Sequence, residues 1–166
     1  MTIDAVNRLD REAFVEAFGW IFEHSPWVAE RAWKERPFGD ARALHVSMVR
    51  QVEMASAAEQ MALLRAHPDL GTKAKVSEAS ATEQAGAGLD QLTAEEFQLL
   101  TELNHRYKEK FGFPFLYAVK GSNKHDVLVA LIARIDADPE DEYSEALRQV
   151  YQIAGFRLNS CIGEER

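Results

Sequence analysis

The stretch that decides the fold class is residues 93–112, TAEEFQLLTELNHRYKEKFG. Its large apolar residues recur at the spacing of one helix face and are Phe97, Leu100, Leu103, Tyr107 and Phe111. Thr93 and Glu96 match the capping box that begins a helix, and Gly112 is the residue type that commonly ends one. The stretch therefore predicts one amphipathic helix with a capped start and a glycine stop.

Helical spacing of apolar residues continues on both sides of this stretch, and capping residues mark further helix starts. The predicted starts are Asp10, Ser25-Pro26, Asp40, Ser56, Ser80, Thr93, Ser122-Asn123 and Asp138-Pro139. No segment shows sustained strand alternation, and the only extended candidate is the short run at 113–119. We therefore predict an all-α fold, with a single compact bundle-like domain over residues 1–166, about seven to eight helices and an extended segment near 113–119.

Composition limits the possible classes of function. A chain of 166 residues suits one domain, and its formal net charge of −8 argues against a nucleic-acid partner. Cys161 is the only cysteine, so no intramolecular disulfide can form and no paired-cysteine zinc site is predicted. Neither a signal peptide nor a membrane-spanning run is predicted, and we expect a cytoplasmic protein with no membrane partner.

The connection between two predicted helices, residues 68–79, is flanked by residues whose chemistry stands out, from His67 before it to Gln84 after it. Pro68 disfavours helix at His67, and an imidazole at a helix end suits proton transfer near neutral pH. Ser80 and Glu83 can form a capping box, and a helix start also offers free amides to an anion. The simpler alternatives stay open, because His67 could only cap carbonyls and Ser80 with Glu83 could only cap a helix. The histidine spacing predicts no metal site.

Two further features have both structural and functional interpretations. The run after Pro114 is apolar and predicted to be non-helical, so its buried backbone groups need partners, which a flat, amide-rich ligand could supply. Arg157 lies among apolar neighbours on the last predicted helix. It could form a salt bridge, or it could bind a carboxylate with its guanidinium fork.

Taken together, these pieces resemble the 2-oxo-4-hydroxy-4-carboxy-5-ureidoimidazoline (OHCU) decarboxylase family. The segments that carry the resemblance occur in family order over most of the chain. They are His67-Pro68-Asp69-Leu70, Ser80-x-x-Glu83-Gln84 with Ala85 and Ala87-Gly88-Leu89, Asn104 with Tyr107, residues 110–115 (KFGFPF), and Arg157-Leu158.

The resemblance implies an all-helical, commonly dimeric carboxy-lyase that needs no cofactor and converts OHCU to (S)-allantoin and CO2, the last step of urate degradation. It implies His67 and Glu83 as catalytic residues. The substrate contacts that it implies are Pro68, Ser80, Ala81, Thr82, Glu83, Gln84, Phe115, Leu116, Tyr117, Ala118, Val119 and Arg157. Urate oxidase and hydroxyisourate hydrolase are the implied pathway neighbours.

Two alternatives from other functional classes remain open. A non-catalytic helical module could use the same residues to bind a small purine-derived ligand or a partner peptide, with His67 acting only as a hydrogen-bonding group. A helical interaction protein would need a broad exposed apolar face, and no predicted helix is apolar all round.

Overall fold

The computed structural model of the chain describes residues 1–163. Over these residues it contains nine α-helices and one short 3₁₀ turn, with no strand. The helices are α1 Ile3–Asn7, α2 Arg11–Phe18, α3 Trp27–Ala32, α4 Ala41–Glu53, α5 Ala57–Arg65, α6 Glu78–Gly86, α7 Ala94–Phe111, α8 Lys124–Arg134 and α9 Pro139–Cys161, and the 3₁₀ turn is Trp33–Glu35. The all-α prediction is confirmed.

Several helix starts lie where the capping residues predicted them. Asp10, Asp40 and Asn123 each accept a hydrogen bond from a backbone N–H of the first turn. Ser56 and Thr93 form complete capping boxes. Such caps satisfy backbone donors that no residue of the same helix can reach.

Other details of the helix prediction are wrong. The count of seven to eight omitted α1, whose single turn, capped by Thr2, is too short to show a periodic pattern. Helix α2 ends at Phe18, so Ile21 lies beyond it, although its side chain is buried as the apolar pattern implied. The cap position of helix α3 is occupied by Pro26 and not by Ser25, and no side chain caps this helix. The ring of proline already holds φ near the helical value.

The chain divides into two compact units. One consists of Met1–Ala66 with the described residues from Tyr151 onward, and the other is His67–Val150. Helix α9 contributes residues to both. The single domain over residues 1–166 stays a prediction.

The first unit buries the apolar face of its helices. Its fully buried large side chains include Phe14, Phe18, Phe22, Leu44, Met48, Leu63 and Leu64. The rings of Phe14 and Phe18 lie 5.1 Å apart between centroids in a tilted arrangement, which aromatic pairs favour. Burial of this apolar surface stabilises the unit.

The second unit is organised around Tyr107 on α7. Its ring is fully buried and lies 4.5 Å from that of Phe111 and 5.4 Å from that of Phe115 between centroids. Gly112 ends α7 in the left-handed conformation, with φ 80°, and so turns the chain into residues 113–119. Within residues 1–163, none of the helices is long and apolar enough to span a membrane.

Candidate active site

His67 begins the second unit, after α5 has ended at Arg65 with Ala66 as its C-cap. The prediction that this helix stops at His67-Pro68 is confirmed. The His67 side chain is buried, whereas Pro68 is partly exposed. A buried imidazole on a non-helical segment can exchange a proton with a group held in the same protected surroundings.

The peptide bond between Leu70 and Gly71 is held on both of its polar atoms by side-chain amides. Asn104 Nδ2 on α7 donates to the Leu70 carbonyl oxygen over 2.9 Å. The Gly71 N–H donates to Gln84 Oε1 on α6, also over 2.9 Å. We call this arrangement the peptide clamp. It fixes the segment that follows His67 against two helices.

Gly71 is required at the clamp for two independent reasons. Its φ is +74°, a conformation that other residues adopt only with strain. A Cβ at this position would also lie 2.5 Å from Leu100 Cδ2 and 3.1 Å from Leu92 Cδ1. The close approach of the backbone to α7 therefore depends on glycine.

The start of α6 differs from the prediction. The helix begins at Glu78, and its cap is Ser77, whose Oγ accepts a hydrogen bond from the Ser80 N–H over 3.2 Å. The capping-box interpretation of Ser80 and Glu83 is therefore wrong. So is the expectation of free amides at this point, since the Ala81 N–H already donates to the Ser77 carbonyl. Ser77 offers a cap one turn earlier, and the helix extends to it.

The predicted contact residues on α6 divide between two faces of the helix. Ser80 and Gln84 are buried, Glu83 is half-buried, and Ala81 and Thr82 are exposed. Ser80 and Gln84 are four residues apart and so share a face. Gln84 contacts the segment after His67 through the clamp, so the structure brings the His67–Gly71 segment and α6 together.

The segment Phe115–Val119 has no regular secondary structure, as predicted. Phe115, Leu116 and Val119 are buried, while Tyr117 and Ala118 are half-buried. Its backbone groups have partners among the protein's own side chains. Arg134 Nη1 donates to the Leu116 carbonyl over 2.6 Å, and the Ala118 N–H donates to Gln149 Oε1 over 2.9 Å. The expectation that a ligand supplies these two partners is therefore wrong.

Arg134 belongs to a buried network of hydrogen bonds. Its Nε donates to Glu142 Oε1 over 2.8 Å, and the hydroxyl of Tyr107 donates to the same carboxylate oxygen. Burial, followed by the Glu142 carboxylate, raises the pKa of Tyr107 far above its ordinary value, so the phenol stays a hydrogen-bond donor. Arg134 also stacks over the ring of Phe115, 4.6 Å from its centroid. The network holds Phe115–Val119 in place.

Arg157 lies in the first unit and is described with it. Its side chain is 4% exposed, and its Nη2 contacts Glu23 Oε2 at 3.0 Å. Its Nη1 donates to the carbonyls of Trp20 and Ile21 over 3.2 and 3.3 Å. The salt-bridge interpretation of Arg157 is therefore confirmed, and its role as a substrate contact stays a prediction.

The sequence interpretation missed the residues that support Phe115–Val119, namely Arg134, Glu142 and Gln149. Glu142 and Gln149 occupy the buried stripe of α9 that also contains Ala146 and Val150. A polar residue at a buried helical position needs a partner, and this was the signal available in the sequence. In the part of the chain that the structure describes, no group of three or more His, Cys, Asp or Glu residues could hold a metal ion.

Comparison with known proteins identifies the family. The sequence model of the family described as OHCU decarboxylase matches residues 7–159. An OHCU decarboxylase of Haloferax volcanii is 48% identical over 99% of this chain and 98% of its own length. The uric acid degradation bifunctional protein of Bacillus subtilis is 42% identical over 99% of this chain, which corresponds to 33% of that larger protein.

Solved structures agree with the sequence relatives. A crystal structure of (S)-allantoin synthase superposes with a TM-score of 0.82 at 32% identity, over 98% of this chain and 54% of that one. A crystal structure of OHCU decarboxylase determined in the presence of (S)-allantoin has a TM-score of 0.70 at 22% identity and covers 92% of this chain, which shows a shared fold. With the match of the family model, the chain therefore belongs to the OHCU decarboxylase family, which is a family of carboxy-lyases.

Proposed function

We propose that this protein decarboxylates OHCU to (S)-allantoin and CO2 as the last step of urate degradation. The observation that carries the proposal is the 48% identity to the Haloferax volcanii enzyme over nearly the full length of both chains. The 32% identity to a structure named for (S)-allantoin synthesis supports the choice of product enantiomer.

The chemistry of the substrate explains why the reaction needs no cofactor. The carboxylate of OHCU is bonded to a carbon that also carries a hydroxyl and adjoins an imine carbon. When the C–C bond to the carboxylate breaks, its electron pair forms a C=C bond to the imine carbon. The electron pair of the C=N bond moves to the nitrogen, which takes a proton, and an enamine-like intermediate results. Protonation of the former imine carbon, with conversion of the neighbouring hydroxyl to a carbonyl, gives allantoin. The protein must supply orientation, exclusion of water and a proton on one face.

His67 is our candidate for the group that handles this proton. It is buried, and it lies just after α5 and its C-cap, on a segment that the peptide clamp holds. The unperturbed pKa of histidine, near 6.5, suits both gain and loss of a proton at neutral pH. A fixed imidazole would deliver the proton to one face only, and this would account for a single enantiomer.

Glu83 is the second proposed catalytic residue. It is half-buried and immediately precedes Gln84, which binds the segment after His67. Its carboxylate is suited to accept a hydrogen bond from the substrate hydroxyl and to orient the ring. The remaining proposed contacts are Pro68, Ser80, Ala81, Thr82, Gln84, the segment Phe115–Val119 and Arg157.

Arg157 is better suited to orient the substrate than to stabilise its carboxylate. Glu23 already neutralises the guanidinium at 3.0 Å. A strong interaction with the departing carboxylate would stabilise the ground state more than the transition state and would slow the reaction. We therefore assign to Arg157 a carbonyl or ureido contact.

We propose further that the protein is a cytoplasmic homodimer. In the pathway it would act after urate oxidase and hydroxyisourate hydrolase. The relative from Bacillus subtilis supports the pathway, because its name assigns two functions in uric acid degradation to one chain. The alternative, a non-catalytic module that binds a purine-derived ligand or a peptide, would use the same residues without turnover.

The experiment that tests the proposal follows the circular dichroism of allantoin after freshly generated OHCU is mixed with the protein. Uncatalysed decarboxylation lacks a chiral environment for protonation and gives racemic product. The wild-type protein is expected to give a rapid signal of (S)-allantoin. His67→Asn is expected to lower turnover by ~100-fold or more, with an unchanged helical spectrum.

The matched control is His105→Asn on α7, the same substitution at a side chain that is 71% exposed. It is expected to leave turnover within about two-fold of the wild type, as surface substitutions usually do. Wild-type turnover in His67→Asn would exclude His67 from the catalytic step.

A further inference from the structure

Asn104 is a buried amide that makes a hydrogen bond on one side and, among the residues that the structure describes, leaves its other polar atom without a partner. Its side chain is 4% exposed, and its Nδ2 donates to the Leu70 carbonyl. Within residues 1–163, nothing donates a hydrogen bond to its Oδ1, which is also buried. A buried polar atom without a partner destabilises the folded state. The value of this amide therefore lies in the one hydrogen bond that it makes.

The orientation of the Asn104 amide follows from that bond. If the amide were flipped, its Oδ1 would face the Leu70 carbonyl oxygen, and two acceptors would oppose each other. The Leu70 carbonyl thus selects the N–H side of Asn104. On the other side of the same peptide unit, the Gly71 N–H selects the oxygen of Gln84. The two amides together determine the plane of one peptide bond.

Only a short and restricted piece of chain separates this peptide from the imidazole of His67. Pro68 has a fixed φ, and the Thr72 N–H closes a turn onto the Asp69 carbonyl over 3.3 Å. A rotation of the Leu70–Gly71 peptide would therefore be transmitted to His67. Because Gln84 adjoins Glu83 on α6, the peptide clamp also sets the segment of His67 relative to the helix that carries Glu83.

We propose that Asn104 is a positioning residue that acts through the peptide clamp to set the imidazole of His67 for proton delivery. This inference rests on the proposed function. Asn104 touches the Leu70 carbonyl and acts on the reaction only through the His67–Gly71 segment.

Two substitutions test the inference by removing the donor in different ways. Asn104→Leu keeps a similar volume and removes both polar atoms. Asn104→Asp keeps the shape but, as a carboxylate, cannot donate to Leu70. Each variant is expected to lower kcat by ~10- to 100-fold, as small misplacements of a catalytic group do. Each is also expected to lower the excess of (S)-allantoin over the other enantiomer, which a purely structural role would not change.

Lys108→Met is the matched control, because Lys108 contacts the same segment from the same helix. Its Nζ pairs with Asp69 at 2.9 Å, and the side chains of Lys108 and Asp69 are 49% and 35% exposed. An exposed ion pair contributes little to the position of the chain. This variant is expected to keep kcat within about two-fold of the wild type and to keep its enantiomeric excess.

Hydrogen exchange of the Gly71 amide, followed by NMR, gives a readout that does not need turnover. The amide is expected to exchange at least ~10-fold faster in Asn104→Leu than in the wild type, because local opening exposes it to water. Lys108→Met is expected to leave its exchange unchanged.

Folded Asn104 variants with wild-type kcat and wild-type enantiomeric excess would overturn the inference. Failure of both variants to fold would overturn it too, because Asn104 would then serve the fold as a whole. A wild-type protein without turnover would instead refute the proposed function, and the exchange of Gly71 would still decide whether the clamp depends on Asn104.

Discussion

Glu83 lies in the second half of α6, whereas the cap that begins this helix is Ser77. A substitution of Glu83 therefore leaves the cap intact. The sequence alone could not distinguish a capping role of Glu83 from a role in substrate binding. The two roles predict different effects, because loss of a capping box would lower stability and loss of a substrate contact would lower turnover.

We expect Glu83→Gln to lower turnover by ~10- to 100-fold, as removal of one charged contact to a reacting group does. The melting temperature is expected to stay close to that of the wild type. Steady-state kinetics and thermal unfolding measured on one preparation check both statements. Glu78→Gln, at the exposed first residue of the same helix, is the control for the change in charge. Equal turnover in the two variants would remove Glu83 from the site.

At the scale of single residues, the local conformation of a residue could be predicted from the sequence, but its partner from a distant part of the chain could not. The end of α5 before His67-Pro68 follows from the restriction that proline imposes on its neighbour. The contact of Gln84 with Gly71 spans 13 residues, and that of Asn104 with Leu70 spans 34. Such contacts depend on how helices pack, and no periodicity in one segment specifies them. Arg157 shows the same limit, since its partner Glu23 is 134 residues away.

Among the elements, α6 shows how two adjacent capping signals compete. Both Ser77 and Ser80 have the side chain of a good cap, and Ser80 also has a glutamate in the right place after it. The helix nevertheless begins after Ser77, which adopts the extended conformation of a cap at ψ 153°. A capping box predicts that a helix starts nearby, but a second cap residue within one turn can move the boundary, as Ser77 does here.

The N-terminus of α7 is tied to α8 by Glu96. Its carboxylate accepts a hydrogen bond from Lys124 Nζ over 2.6 Å and one from the Thr93 N–H over 2.9 Å. These bonds, with that of Lys124 the larger cause, lower the pKa of Glu96 from 4.5 to about 2. Because the pKa is lower in the folded protein, the carboxylate contributes stability above pH 4.5 and loses it as the pH falls toward 2.

We therefore expect Glu96→Gln to lower the melting temperature at pH 7. The difference from the wild type should shrink steadily between pH 4.5 and pH 2 as the wild-type carboxylate becomes protonated. Thermal unfolding across this pH range checks the expectation. Glu95→Gln changes the same charge at the preceding, exposed position and should have a smaller effect at pH 7. A difference between Glu96→Gln and the wild type that does not depend on pH would contradict this account of α7.

For the whole molecule, the all-α class was predictable because amphipathic spacing and caps repeat along the chain. The extended segment at Phe115–Val119 was also predictable, since Gly112 and Pro114 prevent helix there. The division into Met1–Ala66, with the described residues from Tyr151 onward, and His67–Val150 was not predictable. Helix α9 runs through the boundary at Val150 without a proline or another break in its pattern, so the sequence carries no local sign of it.

The polar side chains that hold the segment Phe115–Val119 also could not be predicted from the sequence pattern. Glu142 and Gln149 lie on a helix face that reads as apolar, and their partners, Arg134 and the Ala118 N–H, come from other segments. A buried polar side chain signals that a partner exists. Only the fold identifies that partner.

The measurement that tests the central claim most directly is the number of turnovers per protein molecule. Freshly generated OHCU, in roughly thousand-fold excess over the protein, is followed by circular dichroism until the substrate is exhausted. Our account predicts an initial rate proportional to protein concentration, many turnovers per molecule, and a final signal of (S)-allantoin well beyond that of the protein-free reaction. A trace that matches the protein-free reaction, or a signal that stops at one equivalent per protein, would contradict catalysis and favour a module that only binds the ligand.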